Sequence, residues 1–151
     1  MNVGDICQHN VVTVRPFDEL MVAARLMREQ HVGYLIVVEP AFSEGTFQPV
    51  GVLTDRDLVV SVMAREIDPR SLRVGDVMTR EPMLARTDDS IAAALEQMRR
   101  IGVRRVPVVG DQGELLGVLS LDDVIHALVS QLGDVAGSIR TEQLIEHVLR
   151  P

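Results

Sequence analysis

Two short stretches of this chain carry the residue types for ligand chemistry. Gly51-Val52-Leu53-Thr54-Asp55-Arg56-Asp57 and Gly117-Val118-Leu119-Ser120-Leu121-Asp122-Asp123 share a glycine, an apolar pair, a hydroxyl and, three places on, a carboxylate. Each reads as a buried strand turning directly into a helix, with the hydroxyl at the N-cap and the acid in the first turn. A helix start presents unpaired amides, and with a hydroxyl and a carboxylate beside them it can hold a small ligand. The same Ser/Thr-x-x-Asp pattern is also a capping box, worth about 1 kcal/mol to a helix with no ligand at all. The two uses are compatible.

Other chemistries find little support. All 15 basic residues are Arg, which removes Schiff-base and Walker-type lysine chemistry. His9, His31, His126 and His147 are scattered without metal-ligand spacing, so no metal is expected. Asp88-Asp89 reads as a helix start, and no nucleophile–base arrangement or P-loop is present, so no enzyme activity is expected. A net charge of −7, no Trp, one Tyr and three Phe argue against nucleic acid and anionic membrane as partners. Cys7 is the only cysteine and reads as a small apolar filler, which makes a reducing compartment the default. The opening Met1-Asn2-Val3-Gly4-Asp5 lacks the marks of a signal peptide, and no segment approaches the ~20 apolar residues of a membrane span. A cytoplasmic protein is expected.

The elements around the two stretches repeat as well. Val3-Gly4-Asp5-Ile6 returns as Val74-Gly75-Asp76-Val77, 71 positions later. The helical stripe Leu20, Ala23, Ala24 and Met27 returns at the same spacing as Ile91, Ala94, Leu95 and Met98. Leu35-Ile36-Val37-Val38 and Val106-Pro107-Val108-Val109 read as strands covered on both faces, with Pro107 pointing to an edge strand or an interruption. A long polar loop, Glu39 to Pro49, stands where the second copy has only the turn Gly110-Asp111-Gln112-Gly113. Leu58, Val59, Val62 and Met63 give one closing helix its apolar stripe, and Val124, Ile125, Leu128 and Val129 the other. Met21, Met27, Met63 and Met98 are expected in the core. Arg99 and Arg100 suit a helix C-terminus.

The expected organisation is a first repeat over 1–66, a linker over 67–73, a second repeat over 74–132 and a tail over 133–151 with a short helix of its own. The fold class is α/β (α+β type): two tandem β-α-β-β-α repeats packed as a pseudo-two-fold pair through small sheets. Clefts are expected between the halves, where strand ends meet helix starts.

On these residues, from Val3 to about Leu132, the chain resembles a tandem pair of CBS domains, a Bateman module. That resemblance implies an adenosine ligand (AMP, ADP, ATP or a related adenosyl compound) as a regulatory ligand, with no cofactor required. Asp57 and Asp123 would take the ribose hydroxyls, and Thr54 and Ser120 a phosphate or ribose oxygen. Adenine would lie by Val12-Thr13 or Pro82-Met83, read by backbone near Leu35 or Val106-Pro107, with Tyr34 available to stack. Arg104 and Arg105 would meet phosphate; the first repeat has no cation at that place. The resemblance further implies a homodimer and an unknown target protein in trans. The alternative is a dimerisation scaffold with empty clefts.

Overall fold

The computed structural model describes Met1 to Arg150. The chain begins with a single helical turn, α1 (Val3–Ile6), then β1 (Thr13–Val14), α2 (Leu20–Gln30), β2 (Tyr34–Pro40) and β3 (Phe47–Thr54). From Thr54 it passes straight into α3 (Asp55–Asp57), which continues as a π-helical stretch over Leu58–Met63. After a 3₁₀ turn at Pro69–Ser71 the pattern repeats: α4 (Val74–Val77), β4 (Thr79–Arg80), β5 (Ala85–Arg86), α5 (Ile91–Ile101), β6 (Arg105–Val109), β7 (Leu115–Ser120) and α6 (Leu121–Leu149). Apolar residues three and four apart bury Leu20, Ala23 and Met27 of α2, and Ile91, Ala94 and Met98 of α5.

The strands form two small sheets, ordered β1-β2-β3-β4 and β5-β6-β7. In each, the first strand runs parallel to the second and the second antiparallel to the third. Both carry an irregularity at corresponding places, between Val37 and Val38 and between Val108 and Val109.

The halves exchange their opening segments. The segment of α4 and β4, which begins the second repeat in sequence, pairs with β3 through β4 and puts Val74 and Met78 into the first half's core. Reciprocally, Gln8 bridges Val118 of β7, with both backbone bonds formed (2.9 and 2.8 Å), and Val3 and Cys7 enter the second half's core. The leading glycine of each ligand-type stretch makes the crossing possible. A Cβ at Gly51 would lie 2.9 Å from the Thr79 carbonyl oxygen, and one at Gly117 only 2.5 Å from that of Gln8. Both cores are aliphatic, and no polar or charged residue is buried as a whole among the described residues.

Three expectations change. The tail helix is not a separate short element: α6 runs unbroken for 29 residues through Gly133 and Gly137. An internal glycine costs only about 1 kcal/mol relative to alanine, too little to stop a long helix. Pro107 lies in the central strand of its sheet, neither at an edge nor at a break. In the first half the corresponding Ile36 donates its N–H to Val12 across the parallel pair; Pro107 forgoes that one bond where β5 has not yet begun. Met63 is exposed, whereas Met27 and Met98 are buried and Met21 is half-buried, because only Leu58 and Val62 of that stretch face the core.

Candidate functional site

Each ligand-type stretch folds as a reciprocal cap. The Thr54 backbone N–H donates to Asp57 Oδ2 at 2.8 Å, and the Asp57 N–H donates to Thr54 Oγ1 at 3.2 Å. At the second copy the Ser120 N–H donates to Asp123 Oδ2 and the Asp123 N–H to Ser120 Oγ, both at 3.1 Å. The Ser120 hydroxyl itself lies 2.7 Å from Asp123 Oδ2. Capping therefore uses one carboxylate oxygen in each copy. The other oxygen distinguishes them. Asp57 Oδ1 has no partner among the described residues, while Asp123 Oδ1 accepts from Gln8 Nε2 at 3.1 Å.

Gln8 reaches Asp123 only because the opening segments are exchanged. Sequence reasoning missed it, since Gln8 lies 115 positions away. The same crossing sets Cys7 near that carboxylate. Burial pushes the Cys7 thiol above its ordinary value, a backbone hydrogen bond offsets part of the rise, and the negative charge of Asp123 adds to it.

A cleft of about 220 Å³ opens beside the first copy, lined chiefly by Val12, His31, Gly33 and Tyr34 of the first half and by Arg105 and Val118 of the second. Tyr34 is the register partner of Thr54, and the Gly33 carbonyl accepts the Asp55 N–H at 3.0 Å. The helix start is thus tied to the cleft wall by hydrogen bonds, but its Asp55, Arg56 and Asp57 amides already have partners within the protein, and neither Thr54 nor Asp57 lines the cleft itself. The volume falls short of the roughly 300–1,000 Å³ usual for ligand sites. Arg105, an exposed side chain, is the wall best able to move.

Tyr34 and Arg105 occupy the same place in their respective repeats and meet across the pseudo-two-fold axis. The guanidinium carbon sits 5.8 Å from the ring centroid, a cation–π contact, so that ring is already stacked. The Tyr34 hydroxyl is buried without a hydrogen-bond partner among the described residues. Burial pushes its pKa above the ordinary 10.0, while the charge of Arg105 pulls the other way.

Arg104 and Arg105 also border a recess of about 260 Å³ with Leu121 and Asp122, at the start of α6. Leu35, Val106 and Pro107 are buried strand residues with only backbone to offer. Thr13 parts from Val12 and lines a different hollow of about 300 Å³, with Val38, Phe47 and Glu114. Pro82 and Met83 are half-buried, Met83 against the second core. A larger trough, about 1080 Å³, follows one face of α6 from Gly133 to Arg150 and includes no residue of either ligand-type stretch. Among the described residues no cluster suited to a metal ion occurs, and no helix is long and apolar enough to cross a membrane.

Comparison with known proteins adds the following. The family model for the CBS domain matches twice, at residues 3–64 and 74–130. The protein YhcV of Bacillus subtilis, a CBS domain-containing protein, is 33% identical over 140 residues, covering 93% of both chains. A Methanopyrus kandleri protein is 28% identical over 83% of this chain, and the match spans only 62% of that relative's length. Among solved structures, CBSX2 in complex with AMP superposes with a TM-score of 0.70 at 28% identity, over 85% of this chain and 96% of that one.

Proposed function

The chain belongs to the CBS domain family, and from that premise we propose that it is a non-catalytic regulatory module binding an adenosine nucleotide between its halves. One observation carries the reading: the Thr54–Asp57 cap, which leaves one Asp57 oxygen unpaired, is hydrogen-bonded through Asp55 and Gly33 to the wall of a cleft that the opposite half closes with a cation. A ribose offers two vicinal hydroxyls to such an oxygen, and a phosphate suits Arg105. Val12 and Ile36 line the rest of the cleft, the side left for the base. The AMP bound by CBSX2, a relative of comparable length, supports the ligand class.

Signal output requires a second surface. Val59, Val60 and Met63 of the π-helical stretch and Ile125, Leu128 and Val129 of α6 are exposed and apolar. Exposed apolar residues gathered on helical faces mark an association site. The occupant we propose is a second copy of the chain, giving a homodimer whose packing shifts with ligand occupancy and reports to a separate target in the cytoplasm.

The test is thermal unfolding of nucleotide-free protein with AMP, ADP, ATP, S-adenosylmethionine and GTP. A ligand at a hundredfold excess over its Kd stabilises by about 2.7 kcal/mol, or roughly 5–11 °C for a chain of this size. A shift with adenosine compounds and none with GTP is expected. No shift with any of them leaves the two stretches as helix caps on a dimerisation scaffold.

A further inference from the structure

The two recesses draw on one cation. Arg105 is the only Arg lining the first cleft, where it lies over Tyr34, and it also borders the α6-start recess beside Arg104. The first half has no equivalent to lend. The positions that correspond to Arg104 and Arg105 are Gly33 and Tyr34, and a Cβ at Gly33 would lie 2.5 Å from the Asp55 carboxylate. An Arg side chain at the pseudo-two-fold axis can swing to either side, but its fork satisfies one phosphate at a time. In this position the guanidinium lies 5.8 Å from the centroid of the Tyr34 ring, whose hydroxyl is buried without a partner among the described residues.

We propose that Arg105 is a specificity-determining residue shared by both sites, so that a phosphorylated ligand in one recess withdraws the phosphate contact from the other. Anionic ligands then compete across the axis for the guanidinium, while an uncharged nucleoside in either site does not. The second half, which keeps Arg104, retains part of its phosphate preference; the first half loses all of it. This inference rests on the adenosine-nucleotide reading above and assigns how the two sites of that reading regulate each other.

The decisive experiment isolates each site. Asp57→Ala disables the first and Asp123→Ala the second, and AMP and adenosine are titrated calorimetrically into each, with and without Arg105→Ala. Sharing predicts that Arg105→Ala weakens AMP roughly tenfold to a hundredfold in both backgrounds and leaves adenosine within about twofold in both. Arg105→Lys, which keeps the charge but not the fork, restores part of the loss and guards against a folding artefact. An AMP loss confined to one background assigns Arg105 to that site alone and overturns the proposal. AMP binding in neither background, with the wild type binding, also overturns it. Absence of AMP and adenosine binding in the wild type instead defeats the functional reading on which it rests.

Discussion

Replacing Gly117 by alanine places a methyl group where the exchanged segment already runs. The new Cβ would sit 2.5 Å from the Gln8 carbonyl oxygen and 3.3 Å from Cys7 Sγ, against an ordinary contact of 3.4–4 Å. The near atom is backbone, so no side-chain rotation relieves the clash. The crossing strand must retreat by roughly 1 Å, which strains the two Gln8–Val118 backbone bonds and loosens Val3 and Cys7 from the second core. Two hydrogen bonds at about 1 kcal/mol each, together with the usual 1–3 kcal/mol of overpacking, give a loss of about 3–5 kcal/mol. At 2–4 °C per kcal/mol for a chain of this size, Tm should fall by roughly 6–20 °C. Gly133→Ala and Gly137→Ala are the matched controls, since nothing lies within 4 Å of a Cβ at either. Each should stabilise α6 by up to about 1 kcal/mol. Urea unfolding at fixed protein concentration measures all three. A Gly117→Ala protein within about 0.5 kcal/mol of wild type would refute the exchange as the reason for the glycine.

Three further outcomes follow from the same geometry. Tyr34 is the only tyrosine, so phenolate absorbance reports it alone. Its pKa is raised in the folded state, so its contribution is intact below the ordinary 10.0 and is lost as pH rises beyond it. The absorbance midpoint should therefore lie above 10.0 in native protein and return to it in urea; a native midpoint at 10.0 counts against the buried hydroxyl. Gln8→Ala releases Asp123 Oδ1 and should tighten AMP binding at the second site about fivefold, the worth of roughly 1 kcal/mol, in an Asp57→Ala background; unchanged or weaker binding there would show that Gln8 does not compete. Met63→Glu with Leu128→Glu puts charge on the exposed helical faces and should shift sedimentation toward the monomer; an unmoved dimer would place the interface elsewhere.

Much of the fold was legible because each half solves the same packing problem with the same spacing. The recurrence, at 71 residues for α2 and α5 and for both buried central strands and at 66 for the caps, marks these elements before any contact is known. The exchange was not legible, for a physical reason. Both halves trade equivalent segments, so Val3 and Val74 fall at the same repeat position whether each stays home or crosses. Gln8 on Asp123 follows from that crossing and was hidden with it. The stripe on the π-helical stretch showed that Leu58, Val59, Val62 and Met63 share a side, but not that Met63 looks outward. Gly133 resembled a helix stop because a local penalty is visible in sequence, while the cooperativity of a long helix is not. Arg104 and Arg105 were readable as phosphate candidates, yet only the meeting of Tyr34 and Arg105 across the axis puts Arg105 against the first half's cleft.

The measurement that bears most directly on the central claim is calorimetric titration of AMP into nucleotide-free wild type and the Asp57→Ala, Asp123→Ala double variant. Saturable binding to the wild type, lost or weakened at least tenfold in a double variant that still folds, is the predicted result. Binding that survives both substitutions would contradict the site, and a flat wild-type trace would contradict the function.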